Sequence, residues 1–505
     1  MFDELIKIKK KVMKYVFLTL LTPIMNFVSA QSVDSIAMKQ VDSLIQVSRG
    51  LTSKRNYDQA LEVNATAEKI ALEKLGRNSA TYGNCCFNHG RVSFFKTDYL
   101  QAEKWYLESK LIREKALGRE HPDYASSLNN LAGLYMNVGQ YEKAEQLYLE
   151  TKSIREKVMG REHPDYASSL NNLALLYMKL GQYEKAEILY LETKSIREKV
   201  LGKKHPEYAK CLNNLAILYK DLGQYEKAEP LYLEFNAIWE KVMGREHPDY
   251  AKGLNNLAVL YKDMGQYEKA ELLYLESNAI REKALGKEHP DYATSLSNLA
   301  ILYMDLGQYG KAEPLYLESK SIREKALGKE HPDYATSLNN LAILYMDLGQ
   351  YEKAELYCLE SKSIREKTFG KEHPEYATSL NNLAILYMNL SQYEKALPFY
   401  IESKAIWEKL LGKEHPDYAF CLNSLANLYI ELGHYEKAES LLLESKAIRE
   451  KVLGKEHPYY AWNLYNLAYL YHLMGQYKKA EPLFLELITA SKLLIERVNT
   501  YQKKS

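Results

Sequence analysis

Apolar residues recur along this chain in two alternating stripes. In the stretch beginning at His121, Leu128, Leu131, Ala132 and Tyr135 stand at i, i+3, i+4 and i+7. That is the spacing of one helix face. Gly139 follows, a residue suited to the left-handed conformation that ends a helix. A second stripe of Tyr141, Ala144, Leu147, Tyr148 and Ile154 then runs on to Gly160. The pattern predicts helix, glycine, helix, glycine, and no strand. It then starts again. His-Pro recurs at His121, His163, His205, His247, His289, His331, His373, His415 and His457, always 42 residues apart. A period of this length, carried by helical pairs, predicts an all-α solenoid in which each unit packs on its neighbours.

The punctuation of each unit agrees with that reading. Pro122 suits a first helical turn, where its missing N–H would have no partner, and Asp123 favours the positive end of the helix dipole. Pro230, Pro314, Pro398 and Pro482 fall early in second helices, where a missing N–H costs little. The register continues upstream. Tyr99 and Tyr57 stand one and two periods before Tyr141, and Gly118 and Gly76 likewise before Gly160. Two further units, near 34–76 and 79–118, are therefore expected without the His-Pro signature. The resulting division is 1–30 as a leader, 31–120 as two divergent repeats, 121–456 as eight regular repeats, 457–496 as a C-terminal repeat and 497–505 as a tail. About eleven helical hairpins are expected. Atypical end units are usual in a solenoid, because one face of each must meet water.

The motif L-x-N-L-A-x-L-Y, then G-x-Y-x-x-A and a Tyr four residues on, resembles the tetratricopeptide repeat. The 42-residue form, with LNNLAILY, YEKAEPLY, IREK and LGKEHP, resembles the repeats of kinesin light chains and covers nearly all of residues 34–496. The resemblance implies a right-handed superhelix whose first helices line a concave groove. It says less about the partner, since one fold serves many functions.

Helical geometry picks out the residues facing away from the core. Positions 126, 130, 133 and 137 lie opposite the Leu128/Tyr135 stripe. Asn130 recurs as Asn172, Asn214, Asn256, Asn298, Asn340, Asn382 and Asn466, with Ser424 as the exception and Asn88 extending the lane upstream. An Asn amide donates and accepts, so it can pair with a peptide group whatever the ligand's side chains. The resemblance implies the same role, since Asn at this motif position holds ligand main chain in peptide-binding relatives. Copying of a neutral surface residue along with the repeat is the plainer alternative. Position 126 becomes Lys210 and Lys252, each four residues before its Asn, and Lys-x-x-x-Asn resembles a half-clamp for a carboxylate. Asp221, Asp263, Asp305 and Asp347 at position 137 could neutralise those lysines. At the C-terminal end the same positions turn apolar, as Phe420, Trp462, Tyr469 and Leu473. Large apolar residues on a polar face suggest a docking patch, or capping by the tail.

Composition adds limits. Lys and Arg number 67 against 66 Asp and Glu, so nothing in the charge balance calls for nucleic acid. Runs such as EKAE and REK read as a solvated helix face. The 43 tyrosines read as packing residues whose hydroxyls reach water. Cys85, Cys211 and Cys421 share one repeat position, and Cys86 and Cys358 replace apolar residues, so the five read as fillers without disulfides. The recurrent His-Pro-Asp reads as a helix start. No Cys/His ligand spacing, phosphate loop or hydrolase motif accompanies it, so no metal, cofactor, small-molecule substrate or enzyme activity is expected. Lys7, Lys9, Lys10, Lys11 and Lys14 precede an apolar run from Tyr15 to Val28, and Val28-Ser29-Ala30 offers a cleavage site. This order predicts a signal peptide with Gln31 as the mature N-terminus, and export to a periplasmic or extracellular compartment; a cytoplasmic protein follows if the segment is not a signal. Two functional readings remain. One is a non-catalytic scaffold binding an extended peptide or protein partner in the groove. The other is a structural or regulatory assembly module that docks to an effector, or self-associates, through its C-terminal repeat.

Overall fold

The computed structural model describes residues 34–502, and among these every regular element is a helix. The expected leader and its cleavage site lie outside the described residues. Twenty-two helices pair into eleven hairpins. Helix α1 spans 34–53, followed by α2 (Tyr57–Leu75), α3 (Ala80–Phe95), α4 (Tyr99–Leu117), α5 (Pro122–Asn137) and α6 (Tyr141–Met159). The alternation then keeps the 42-residue period. It passes through α7 (Pro164–Lys179) and α9 (Pro206–Asp221), and ends with α16 (Tyr351–Phe369), α17 (Pro374–Asn389), α18 (Tyr393–Leu411), α19 (Pro416–Glu431), α20 (Tyr435–Val452), α21 (Pro458–Leu473) and α22 (Tyr477–Gln502). No described helix is long and apolar enough to cross a membrane.

The chain divides into two compact units. One runs to Tyr135 and includes Gln146–Val158; the other comprises Met136–Glu145 and the chain from Met159 onward. In the first unit, Val41, Ile45, Ala67, Ala71, Tyr82 and Ile112 form a core with Cys85 and Cys86. Both cysteines are free and wholly buried, as are the other three. Burial pushes the Cys85 and Cys86 thiols up to about 12. They fill space here and carry no nucleophile at neutral pH.

In the second unit the repeat chemistry is regular. The hairpin turns rest on glycines with positive φ, such as Gly181 at 67° and Gly202 at 81°, with Ser391 at 55° in the same place of one turn; the conformation costs a residue with a Cβ more than it costs glycine. Each first helix starts at a histidine. The Nδ1 of His205 accepts the Glu207 backbone N–H at 3.1 Å, and His247, His289 and His331 do the same for the residue two positions on. The side chain thus satisfies an N–H that the helix leaves without a partner, and a cap of this kind is worth about 1 kcal/mol. The sequence located the helix start but not the imidazole's part in it.

Two other expectations need correction. The REK arginine is not solvated. Arg197, Arg281, Arg323, Arg365 and Arg449 are all buried. Each reaches from a second helix to a backbone carbonyl in the first turn of the next first helix, as Arg323 does to Asp333 at 3.2 Å. The tyrosine hydroxyls do not simply reach water either. Tyr177, Tyr219, Tyr261, Tyr303, Tyr345, Tyr387 and Tyr471 each donate to the glutamate 32 residues earlier, in the preceding second helix, at 2.6–2.9 Å. Charged runs at this spacing look solvated in a single helix. Across a 42-residue period they become the polar stitching between units.

The second unit also meets itself. His373 Nε2 lies 3.0 Å from the Asn137 carbonyl and His415 Nε2 lies 3.2 Å from the Lys179 carbonyl, each 236 residues away along the chain. These imidazoles accept an N–H of their own helix at Nδ1 and donate from Nε2 to a first-helix C-terminus between five and six repeats earlier. Positive helix starts therefore face negative helix ends, which the dipoles favour. A Cβ on Gly181 would come within 2.9 Å of the His415 ring, so this contact also requires glycine.

Candidate functional site

The first helices carry the expected lane. Within the second unit, Asn214, Asn256, Asn298 and Asn340 are half-buried and Asn382 is buried, while the flanking Lys210, Lys252, Asp305 and Asp347 are exposed. Asn130 and Asn172 are half-buried in their own helices, α5 and α7. Asn88 is wholly buried and donates to Ser48 and Asn64 at 2.9 Å, so it belongs to the interior of the first unit.

The lane amides are linked to one another through a second column of asparagines. Asn214 Nδ2 donates to Asn171 Oδ1 at 2.8 Å, Asn256 to Asn213 at 2.8 Å and Asn298 to Asn255 at 3.0 Å, and Asn382 donates to Asn339. Each rung joins one first helix to the one before it. An amide has two N–H groups and the rung uses one. The rung also fixes which way the amide faces, so a ligand bond there costs less ordering. The acceptor column, Asn213, Asn255 and Asn339, is buried. The second asparagine of each Asn-Asn pair thus meets the first of the preceding unit, a link that spacing within one unit does not reveal. Where Ser424 interrupts the lane, Asn381 Oδ1 is left buried without a partner.

The charges flanking the lane sort themselves differently from the sequence picture. Lys210 pairs with Glu207 at 2.6 Å, on its own helix. Three of the four aspartates pair with other lysines: Asp221 with Lys220 at 2.9 Å, Asp263 with Lys262 at 3.2 Å, and Asp305 with Lys262 at 3.1 Å. They do not neutralise Lys252, which is exposed and forms no ion pair among the described residues.

The C-terminal residues do come together. Phe420 and Trp462 have ring centroids 5.8 Å apart, and Tyr465 stacks on Tyr469 at 6.3 Å. Trp462, Tyr465, Tyr469 and Leu473 are all more than a third exposed and follow one face of α21 at i, i+3, i+7 and i+11. Trp462 also covers Arg449, whose guanidinium carbon is 5.1 Å from its ring centroid. Arg449 was not singled out by the sequence. Elsewhere in the second unit, a cleft of about 760 Å³ lies where the late helix starts meet the earlier helix ends, lined by Lys179, Lys220, Asp221, Glu375, His415 and Asp417 among others. Its mixed charge and open walls show no convergent catalytic set.

The tetratricopeptide repeat pattern matches residues 85–157, 124–193, 165–234, 254–325, 291–357, 333–397, 379–451 and 435–492. The chain belongs to that family. No curated protein sequence matches it. Among solved structures it is similar to the nearly identical repeats of a kinesin light chain from Podosopora anserina, at 32% identity over 41% of this chain and 97% of that one, with a TM-score of 0.36. It is also similar to BtubC (BKLC) from P. vanneervenii, at 25% identity over 46% and 91% of the two chains, TM-score 0.37. A Rap protein complexed with Competence and Sporulation Factor shares the fold, at 17% identity over 74% and 99%, TM-score 0.50.

Proposed function

We propose that this tetratricopeptide repeat chain is a non-catalytic interaction scaffold that holds an extended segment of a protein partner along its first helices. The observation that carries the reading is the asparagine ladder. Asn214, Asn256 and Asn298 are held in one orientation by rungs that each consume a single N–H. A second N–H and an acceptor oxygen per residue then serve a peptide main chain, at about 0.5–1.5 kcal/mol for each bond made. Several such bonds are needed for useful affinity, and a ladder supplies several. Lys252, and Lys210 when released from Glu207, would favour an acidic residue in the bound segment. The Rap protein named above, of the same fold, was solved with a bound factor.

The test is a pull-down with the mature chain, followed by affinity measurement on the recovered partner with the Asn214→Ala/Asn256→Ala variant. Affinity should fall about tenfold or more, the effect of losing two such bonds. Unchanged binding, with loss on replacing Trp462 and Tyr469 instead, would move the function to the C-terminal repeat. That second reading, docking to an effector or self-association, rests on the exposed aromatic face of α21. We also propose export through the N-terminal segment; sequencing of natively produced protein should begin at Gln31, and intact Met1 in the cytosol would refute it.

A further inference from the structure

Comparing the repeats with one another isolates a single buried cation. In three of the earlier units of the second unit's array, the REK arginine meets one or both of two further partners. One is the first-turn acid of the next first helix. Arg365 Nη2 lies 3.0 Å from the Glu375 carboxylate, and Arg197 lies 3.4 Å from that of Glu207. The other is a hydroxyl on the preceding first helix. Arg197 Nη2 donates to Ser168 at 3.3 Å and Arg323 Nη2 to Thr294 at 3.1 Å.

Arg449 has lost both. The first-turn acid is Asp or Glu after eight of the nine His-Pro pairs, and Tyr459 after the ninth. The hydroxyl position is Phe420. Arg449 is 1% exposed. Its Nη1 donates to the Tyr459 carbonyl at 2.8 Å, and its Nε and Nη2 have no partner. An unpartnered buried Nε is shared with Arg113, Arg323 and Arg365; among the described REK arginines, a buried Nη2 without a partner occurs at Arg449. Above the guanidinium lie the Tyr459 and Trp462 rings, at 5.7 and 5.1 Å to their centroids. Burial lowers the guanidinium to about 10, with only Tyr459 opposing, and it stays protonated at neutral pH. A buried cation facing aromatic rings and no anion is a costly arrangement unless an anion arrives.

We propose that the C-terminal repeat is a docking site for an acidic side chain of a partner polypeptide, bound by Arg449 in place of the missing first-turn acid. The occupant follows from charge complementarity and from the chain's own usage, since Arg197 and Arg365 each take a glutamate side chain. Trp462 and Tyr459, both partly exposed, turn outward and admit the carboxylate to Nη2 and Nε, a planar fork that a carboxylate matches with two bonds. The apolar residues following the acid then lie on Trp462, Tyr465, Tyr469 and Leu473. This site is separate from the asparagine ladder and stands or falls independently of it.

The full chain can be titrated, by fluorescence polarisation, against fluorescein-labelled Gly-Ser-Asp-Leu-Leu-Gly amide. Two control peptides accompany it: the same peptide with Asn for Asp, and Gly-Ser-Leu-Leu with a free C-terminus. The Asp peptide should bind at least tenfold more tightly than either. Arg449→Met should remove that preference, Tyr459→Glu should remove it by supplying the acid in cis, and Asn214→Ala/Asn256→Ala should leave it intact. Equal binding of the Asp and Asn peptides, stronger binding of the free C-terminus, or a preference that survives Arg449→Met would each overturn the proposal. A melting measurement needs no ligand: Tyr459→Glu should raise the melting temperature of the C-terminal repeats, and a fall would show that Arg449 lacks no anion.

Discussion

The hairpin junction at Arg365 and the one at Arg449 share a backbone and treat the same arginine in opposite ways. At α16/α17, Arg365 donates to the Glu375 carbonyl at 3.2 Å and to Ser379 at 3.0 Å, and pairs with the Glu375 carboxylate. At α20/α21, Arg449 keeps one carbonyl and faces tyrosine and tryptophan. The first junction is closed on itself and binds its neighbours only. The second retains the cost of a buried charge without its internal compensation. In a solenoid, stability is close to a sum of unit and neighbour terms. A unit that departs from its neighbours at two interacting positions, yet keeps the residue they served, is where function is best sought.

The sharpest way to break this comparison is to remove both arginines in turn. Arg365→Met should loosen α16/α17 by about 3 kcal/mol or more, since two or more charge-assisted bonds of roughly 1.5 kcal/mol each are lost. Arg449→Met should change α20/α21 by no more than about 1 kcal/mol in either direction, because an apolar residue replaces a poorly compensated charge. Amide hydrogen exchange along α17 and α21 reads the two junctions separately. Equal losses at both would mean that Arg449 is as well satisfied as Arg365.

The asparagine ladder offers the next contrast. It is continuous through Asn214, Asn256 and Asn298, and it fails near α21. There Asn423 Nδ2, Asn463 Oδ1 and Asn466 Nδ2 are buried without partners. From the sequence alone, Asn214→Ala/Asn256→Ala should barely alter stability, because neither residue lies on the core stripe. The rungs revise that. Each substitution should cost about 1 kcal/mol, the net worth of a hydrogen bond. Asn466→Ala should cost less than either, because its amide nitrogen makes no bond to lose. Urea unfolding of the three variants checks the order.

The contrast also marks what the sequence could convey. Period, helix pairing and glycine turns follow from spacing within one unit, and all are present as expected. The recurrence of Asn at position 130 was legible too, as was the apolar turn at Phe420, Trp462, Tyr469 and Leu473. The buried arginine, the tyrosine–glutamate bonds and the asparagine rungs were not, because each joins residues in different units and looks polar, hence solvated, in its own helix. Arg449 escaped notice for the same reason. Comparing the repeats column by column would have found it, since Tyr459 and Phe420 depart together around an arginine that does not.

Acid should separate the late repeats from the middle ones. His457 caps α21 through Nδ1, and the Asp221 carbonyl at the end of α9 is its other partner. Burial lowers the imidazole to about 4, and His373 is lowered for the same reason. The folded state therefore holds these rings neutral while the unfolded chain protonates near 6.5. The contribution of His457 is complete above about pH 6.5 and is lost as pH falls towards and through about 4, and that of His373 is lost in the same direction. Hydrogen exchange at the end of α9 should quicken over that window, and His457→Asn should flatten the response. A pH-independent rate in the native chain would mean that the contact is not held by the neutral ring.

The smallest expected effect tests whether a cap in the middle of the array differs in kind from a late one. His205 is exposed, and its Nδ1 accepts the Glu207 N–H at 3.1 Å. His205→Ala should cost about 1 kcal/mol, and His205→Asn should restore most of it, because Asn is a good N-cap. His373 makes the same cap bond and also donates to the Asn137 carbonyl. His373→Asn can replace the first bond, but its shorter side chain cannot serve both ends. It should therefore remain destabilised where His205→Asn recovers. If Asn rescues both positions equally, the bond 236 residues distant contributes nothing, and the late repeats are joined to the earlier ones only by packing.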